Sequence, residues 1–152
     1  MTNKKEIIAG IIIIGNEVLS GRTKDVNTST IATWLNSLGI TVKEVRVIPD
    51  DKEKIIDTVN KLRKNFNYVF TTGGIGPTHD DITAESISEA FNLEYDFHKE
   101  AFSILKNYYK PGEFSEGRQK MAKMPTSAKL IMNPSSGAPG FYVENVFCLP
   151  GV

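Results

Sequence analysis

The chain has 152 residues, 40% of them hydrophobic and 24% charged, and its 18 Lys plus Arg balance 18 Asp plus Glu. That length holds one domain with a real core, and zero net charge speaks against a general nucleic-acid or membrane-surface binder, which needs a basic excess. One cysteine, Cys148, excludes an internal disulfide and fits a reducing compartment, so we expect a cytoplasmic protein.

Residues 6–14 are rich in isoleucine without polar alternation, the pattern of a strand buried on both faces of a parallel sheet. The run could pass for a signal peptide, but Gly15-Asn16-Glu17 follows it instead of a small-residue cleavage site. It is also far short of the roughly 20 residues needed to cross a bilayer. Gly15 to Asp25 reads as a polar loop at the strand's carboxyl end. Asn27 or Thr28 can cap a helix to about Leu38, with Ile31, Leu35 and Leu38 on one face, Trp34 slightly off it, and Gly39 as the stop. Residues 40–48 alternate and are β-branched, which predicts a second strand nearer an edge. Pro49-Asp50-Asp51 is a turn. Asp51 then caps a helix to about Asn65, with Ile55, Ile56, Val59, Leu62 and Phe66 inward.

Residues 68–72 predict the third strand, which leads into Thr-Thr-Gly-Gly-Ile-Gly-Pro-Thr-His-Asp-Asp-Ile-Thr, residues 71–83. A helix follows from about Thr83 to Phe91. Another runs from Phe97 to Tyr109, with Ala101, Leu105 and Tyr108 at helical spacing, and Lys110-Pro111-Gly112 ends it. Residues 114–123 read as a short polar helix broken by Pro125, and residues 128–132 return to strand character. Asn133 to Gly140 is a second loop rich in Gly, Pro and Ser. Residues 141–143 and 146–149 form a hairpin around Glu144-Asn145. This order predicts a single three-layer α/β/α domain over residues 1–152, with a mostly parallel sheet. The sequence stops at Pro150-Gly151-Val152, directly after a strand and with no closing helix, so we expect a truncated chain or one domain of a longer protein.

Ligands of such sheets bind beyond the carboxyl ends of the strands. That edge gathers loops 15–25, 49–51, 73–82 and 133–140. In loop 73–82, a strand, a glycine-rich turn and a helix start succeed one another. The glycines let backbone N–H groups approach an anion, and a helix N-terminus adds about half a positive charge. The loop lacks the Gly-Lys-Ser/Thr of a Walker loop and the third glycine of the Rossmann fingerprint. Asp80 and Asp81 would repel a bare phosphate, so they point to a metal, a ligand hydroxyl or acid/base work. Asp81 and Thr83 can also cap the helix, worth about 1 kcal/mol, but that suits only one of them. Glu17 alone could be a plain loop residue and Asp50 a turn residue. His79 could meet a ligand phosphate or solvent. His98 reads as structural, and Cys148 as buried packing.

The stretch 71–83 resembles the signature loop of the molybdopterin-binding family that includes MogA, MoaB and the amino-terminal domain of the CinA proteins. Gly15-Asn16-Glu17-Val18-Leu19-Ser20-Gly21, Asp25-Val26-Asn27-Thr28, Ser136-Gly137-Ala138-Pro139-Gly140-Phe141 and Leu149-Pro150-Gly151-Val152 are similar to further motifs of the CinA branch, in the same order. The MogA loop has Arg-Asp where this chain has Asp80-Asp81, which moves the resemblance toward CinA. The resemblance implies a domain that binds molybdopterin or a nucleotide, with metal-dependent hydrolysis of a nucleotide pyrophosphate such as ADP-ribose. Binding without catalysis, or molybdopterin adenylyltransfer, are the alternatives. It implies a homo-oligomer with a small pterin or nucleotide pyrophosphate as partner, and neither nucleic acid nor membrane.

The implied ligand contacts are Gly15, Asn16, Glu17, Gly73, Gly74, Gly76, Pro77, Thr78, Ser136, Gly137, Ala138, Pro139 and Gly140. Asp81, Asp50 and Asp80 are the implied catalytic residues. Asp81, Asp50 and Glu17 would bind Mg²⁺ or Co²⁺.

Overall fold

The isoleucine run folds as β1 (Ile7–Ile14), buried from Ala9 onward. The computed structural model describes residues 5–135 and 137–151. After β1 come α1 (Asn16–Leu19), α2 (Asn27–Ser37), β2 (Ile40–Ile48), α3 (Lys52–Asn65), β3 (Tyr68–Thr72) and α4 (Thr83–Ala90). Then follow β4 (Tyr95–Phe97), α5 (Lys99–Tyr108), α6 (Glu116–Lys120), β5 (Lys123–Pro125), β6 (Lys129–Ile131), β7 (Gly140–Val143) and β8 (Val146–Leu149).

The main sheet has the order β2-β1-β3-β8-β7-β6. Its first four strands are parallel, and β7 and β6 join antiparallel through the hairpin expected at Glu144-Asn145. The α/β/α domain with a mostly parallel sheet is therefore present, and β2 is an edge strand as its alternation predicts. Right-handed crossovers decide which face each helix covers. The step from β1 to β2 carries α2 to one face, and the opposite step from β2 to β3 carries α3 to the other.

The two faces are unequal. On the α3 face, Ile12, Ile14 and Val69 pack with Ile55, Val59, Leu62, Ile87, Leu105 and Phe141 in one large core. On the α2 face the buried set is Ala9, Ile11, Ile13, Ile31, Leu35 and Phe70. Beside α2 an apolar groove of about 470 Å³ crosses the remaining strands. Phe147 stacks there between Phe70 and Tyr142, at ring-centroid distances of 5.1 and 5.0 Å. Trp34, 55% exposed, meets Phe70 edge-on at 6.3 Å.

Several local expectations need correction. The loop after β1 begins with a helical turn, α1, in which the Ser20 N–H bonds the Asn16 carbonyl at 2.9 Å. The cap of α2 is neither Asn27 nor Thr28; Asp25 Oδ1 accepts from the Asn27 N–H at 2.9 Å and the Thr28 N–H at 3.3 Å. Leu38 is 58% exposed because the helix ends at Ser37 and Leu38 leaves the buried stripe.

Phe97 belongs to a strand rather than a helix, since β4 pairs antiparallel with β5. Lys123–Pro125 therefore does not continue the polar helix. Pro125, with no N–H to donate, sits opposite Tyr95 at the end of that ladder. His98 is structural as expected: its Nδ1 accepts from the Ala101 N–H at 3.3 Å, capping α5, and its Nε2 lies 2.9 Å from the Ala128 carbonyl. Tyr108 is 51% exposed rather than inward, its ring lying directly over Gly137. Asp51 caps α3 as predicted, accepting from the Lys54 N–H at 3.0 Å.

Candidate functional site

The chain leaves β1 toward one side of the sheet and β3 toward the other. The crevice between their carboxyl ends is thus the topological switch point, where open α/β sheets bind ligands. Gly15 opens one wall, its N–H bonding the Ile48 carbonyl at 3.0 Å. Gly73 opens the other. Its φ is 92°, and a Cβ there would overlap the Ile14 carbonyl oxygen, so the close approach of β3 to β1 requires glycine. The Gly73 N–H bonds the Leu149 carbonyl at 3.2 Å, tying β8 to the same corner.

From Gly73 the loop turns back on itself. Gly74 has φ 70° and packs against Thr83, whose hydroxyl donates to the Gly73 carbonyl at 3.0 Å. Thr83 therefore braces the loop and does not cap α4, whose N-cap Ile82 carries no side-chain cap. Asp81 does not cap α4 either. Its Oδ2 accepts from the Thr78 N–H at 3.0 Å and from the Thr78 hydroxyl at 2.8 Å, closing the turn 78–81. His79 and Asp80 stand at the tip, with side chains 94% and 74% exposed and 3.3 Å apart.

The second loop meets this one through Asp50. The Asn16 N–H donates to Asp50 Oδ2, and the Asp50 N–H donates to Asn16 Oδ1, each at 3.1 Å. This reciprocal pair locks α1 to the end of β2. Burial pushes the Asp50 carboxyl above its usual value; the Asn16 N–H opposes the shift, and the nearby charges of Glu17, Asp81 and Asp80 add to it. Glu17 in loop 15–25 and Asp81 and Asp80 in loop 73–82 thus each act electrostatically on Asp50.

One participant had no sequence signal. Lys120, at the end of α6, donates from Nζ to the Asp81 carbonyl at 2.8 Å and also to the Thr78 carbonyl. In the same helix, a Cβ on Gly117 would lie 2.8 Å from the Pro77 carbonyl oxygen. A polar helix with a terminal lysine is ordinary solvated surface on sequence grounds, and only the fold brings it under the loop. The hollow between them, lined by Gly74, Gly76, Asp81, Lys120 and Lys123 among others, is only about 10 Å³, so the loop is packed from beneath.

Loop 133–140 reaches the same carboxyl edge, since Gly140 begins β7 beside the end of β8. Gly137, Ala138, Pro139 and Gly140 are all buried. The Asn133 side chain donates to the Ala138 carbonyl at 3.1 Å, holding the loop's own shape. Ser136 lies outside the described residues. Cys148 is fully buried and its thiol is pushed up to about 12 by that burial, which fits packing rather than reactivity.

Residues 10–152 match the family described as a probable molybdopterin binding domain. A protein of Archaeoglobus fulgidus is 39% identical over 142 residues, covering 93% of this chain and 61% of its own length. The chain spans about three fifths of the length of the curated relatives it matches. The crystal structure of the protein CinA, of unknown function, from Thermoplasma acidophilum superposes with a TM-score of 0.88 at 34% identity, covering 95% of this chain and 88% of that one. The tungsten cofactor synthesizing protein MoaB of Pyrococcus furiosus shares the fold, with a TM-score of 0.60 at 24% identity over 98% of this chain and 84% of that one. Among the described residues no helix is long and apolar enough to cross a membrane.

Proposed function

The chain belongs to the probable molybdopterin binding domain family, and we propose that it binds a pterin or nucleotide pyrophosphate at the switch point and hydrolyses the anhydride with a divalent metal. The observation that carries this reading is the reciprocal Asn16–Asp50 pair, which fixes a partly buried carboxyl at the same sheet edge as the glycine-rich loop, with burial and then the charges of Glu17, Asp81 and Asp80 raising it. The Gly73 N–H is taken by the Leu149 carbonyl, so the backbone N–H groups of residues 74–76 would hold phosphoryl oxygens, without adding charge of their own.

Among the described residues no three His, Cys, Asp or Glu side chains form a ready metal cage. Such a donor set still fits Mg²⁺, which keeps several waters and is bound by one or two carboxylates together with substrate phosphates. Asp50 with Asp81 or Glu17 would supply those carboxylates, and the ion would neutralise charge on the phosphoryl oxygens. Water adds to one phosphorus, the bridging P–O bond breaks, and the water's proton passes to a carboxylate. Whichever of these carboxylates is not bound to the ion would accept that proton.

The reading includes a homo-oligomer in the cytoplasm, supported by the family likeness and by a single free cysteine; sedimentation of a monomer would remove the oligomer from it. The missing metal cage favours a second reading, in which the domain binds its ligand without turning it over. Incubation with ADP-ribose or FAD and Mg²⁺ or Co²⁺ separates the two. We expect AMP to be released, and Asp81→Asn to slow release by about 100-fold or more. No AMP from either substrate leaves the binding-only reading, whereas adenylylation of molybdopterin with ATP would replace both.

A further inference from the structure

Beneath the acidic loop lie cations that no carboxylate neutralises. Lys43, Arg46, Lys52, Lys61 and Arg63 each form an ion pair with a carboxylate. Among the described residues Lys120 and Lys123 form none. Lys120, half-buried, donates to two backbone carbonyls of the loop, those of Thr78 and Asp81. Lys123 places its ammonium 5.0 Å from the centre of the Phe97 ring. Both line the hollow of about 10 Å³ beside Gly74, Gly76 and Asp81. We propose that these two ammonium groups are a fixed positive floor, which lets a loop carrying Asp80 and Asp81 hold an anion before any metal arrives. The proposal rests on the function proposed above for the same loop.

Three observations support it. The first is charge balance. Two adjacent carboxylates disfavour a further anion nearby, and a cation already ion-paired would do little to offset them. Lys120 and Lys123 keep their charge, because a carbonyl dipole and a ring face stabilise an ammonium without cancelling it. The second is direction. A trans peptide sets its N–H opposite its C=O, and no peptide bond described is cis. With Lys120 on the Thr78 and Asp81 carbonyls, the His79 and Ile82 N–H groups of the same peptide units point away from it. A cation at the carbonyl end polarises the unit and strengthens the N–H as a donor. The third is the thin gap. A space of about 10 Å³ holds about one water at most. The lysines therefore act on the loop through protein rather than through bulk solvent, where the same charges would interact several times more weakly.

The test is calorimetric titration of the protein with metal-free inorganic pyrophosphate and, separately, with Mn²⁺, at about 20 mM and about 0.5 M KCl. Lys123→Met removes a charge but none of the hydrogen bonds that hold the loop. At low salt it should weaken pyrophosphate binding by about threefold and tighten Mn²⁺ binding by about twofold. Lys120→Met should weaken pyrophosphate by about tenfold, and Lys120→Arg should recover it to within about threefold of the parent. At the higher salt each of these differences should shrink to about twofold or less. Lys64→Met, on the exposed side of α3, should change neither ligand. Unchanged pyrophosphate affinity in both Lys120→Met and Lys123→Met overturns the floor and leaves the loop as the ligand site. A loss confined to Lys120→Met, or one that salt does not reduce, makes that lysine a brace and also overturns it. So does weaker Mn²⁺ binding in Lys123→Met, or an equal effect of Lys64→Met. Salt-dependent loss of pyrophosphate in both floor variants of a protein that binds no Mn²⁺ upholds the floor and removes the metal from the function above. No binding of either ligand by the parent removes both.

Discussion

Asp50 is the residue on which the proposed chemistry turns, and its environment makes a signed prediction. Its carboxyl sits above its usual value of 3.8, first through burial and then through Glu17, Asp81 and Asp80. A carboxyl raised in the folded state binds its proton more tightly there than in the unfolded chain. Stability is therefore lost as pH rises from the unfolded value through the raised folded value, and the ionised form remains a burden at neutral pH. Asparagine can still accept the Asn16 N–H bond without that charge. Asp50→Asn should thus melt about 1–2 °C higher than the parent at pH 7, a modest gain because solvent screens a half-exposed group. The two proteins should converge near pH 3.5, and added Mg²⁺ should raise the melting point of the parent only. Thermal melts at both pH values check this; a variant less stable at pH 7 would show that the Asn16 pairing outweighs the repulsion. Asp81 differs in kind. Its Oδ2 is committed to the Thr78 turn, so only Oδ1 remains for the metal proposed above.

Short polar α6 gives the site its floor. Methionine at position 120 keeps the apolar stem and removes the ammonium that reaches the Thr78 and Asp81 carbonyls. Charged hydrogen bonds of this kind contribute on the order of 1–3 kcal/mol each, and partial exposure brings the pair to about 1–2 kcal/mol in total. Lys120→Met should lower the urea midpoint accordingly and speed amide exchange in residues 74–82, with α3 unaffected; unchanged exchange in the loop would show that α6 does not hold it. Elements with a strong period, such as β1, α3 and β3, were legible because burial on one or both faces leaves a repeating apolar mark. So was the edge that gathers the loops, since the alternation of strands and helices implies it. Strands β4 and β5 were not legible: three residues each are too short for a period, and their pairing joins positions about thirty apart in sequence. Lys120 and the α2 cap by Asp25 were not legible either. Lys120 acts through a contact of the folded chain that no local pattern distinguishes from surface lysine, whereas Asp25 bonds only two and three residues ahead and was missed because the helix start was placed at Asn27 or Thr28.

Seen whole, the molecule is a sheet with one thick and one thin cover. Residues of α3, α4 and α5 pack in the cluster on one face and those of α2 in the cluster on the other, so neighbouring residues of a single strand live in different environments. Ile11 and Ile12 are both fully buried in β1. Ile12 points into the large core under α3 and α4. Ile11 points into the small cluster under α2, whose flank opens on the apolar groove of about 470 Å³. Truncating a buried isoleucine costs its transfer free energy plus a term for the cavity left behind, and that second term shrinks where neighbours or water can move in. The closed core cannot yield, because its side chains are fixed between the sheet and the helices that cover it. The thin cover can, since Trp34 and the Phe70–Phe147–Tyr142 stack have space beside them. Ile12→Ala should therefore cost about 4–5 kcal/mol and Ile11→Ala about 2–3 kcal/mol. Urea unfolding at equal m-values measures both. Equal losses would mean that the α2 face is as rigid as the other, and that the groove is no source of slack.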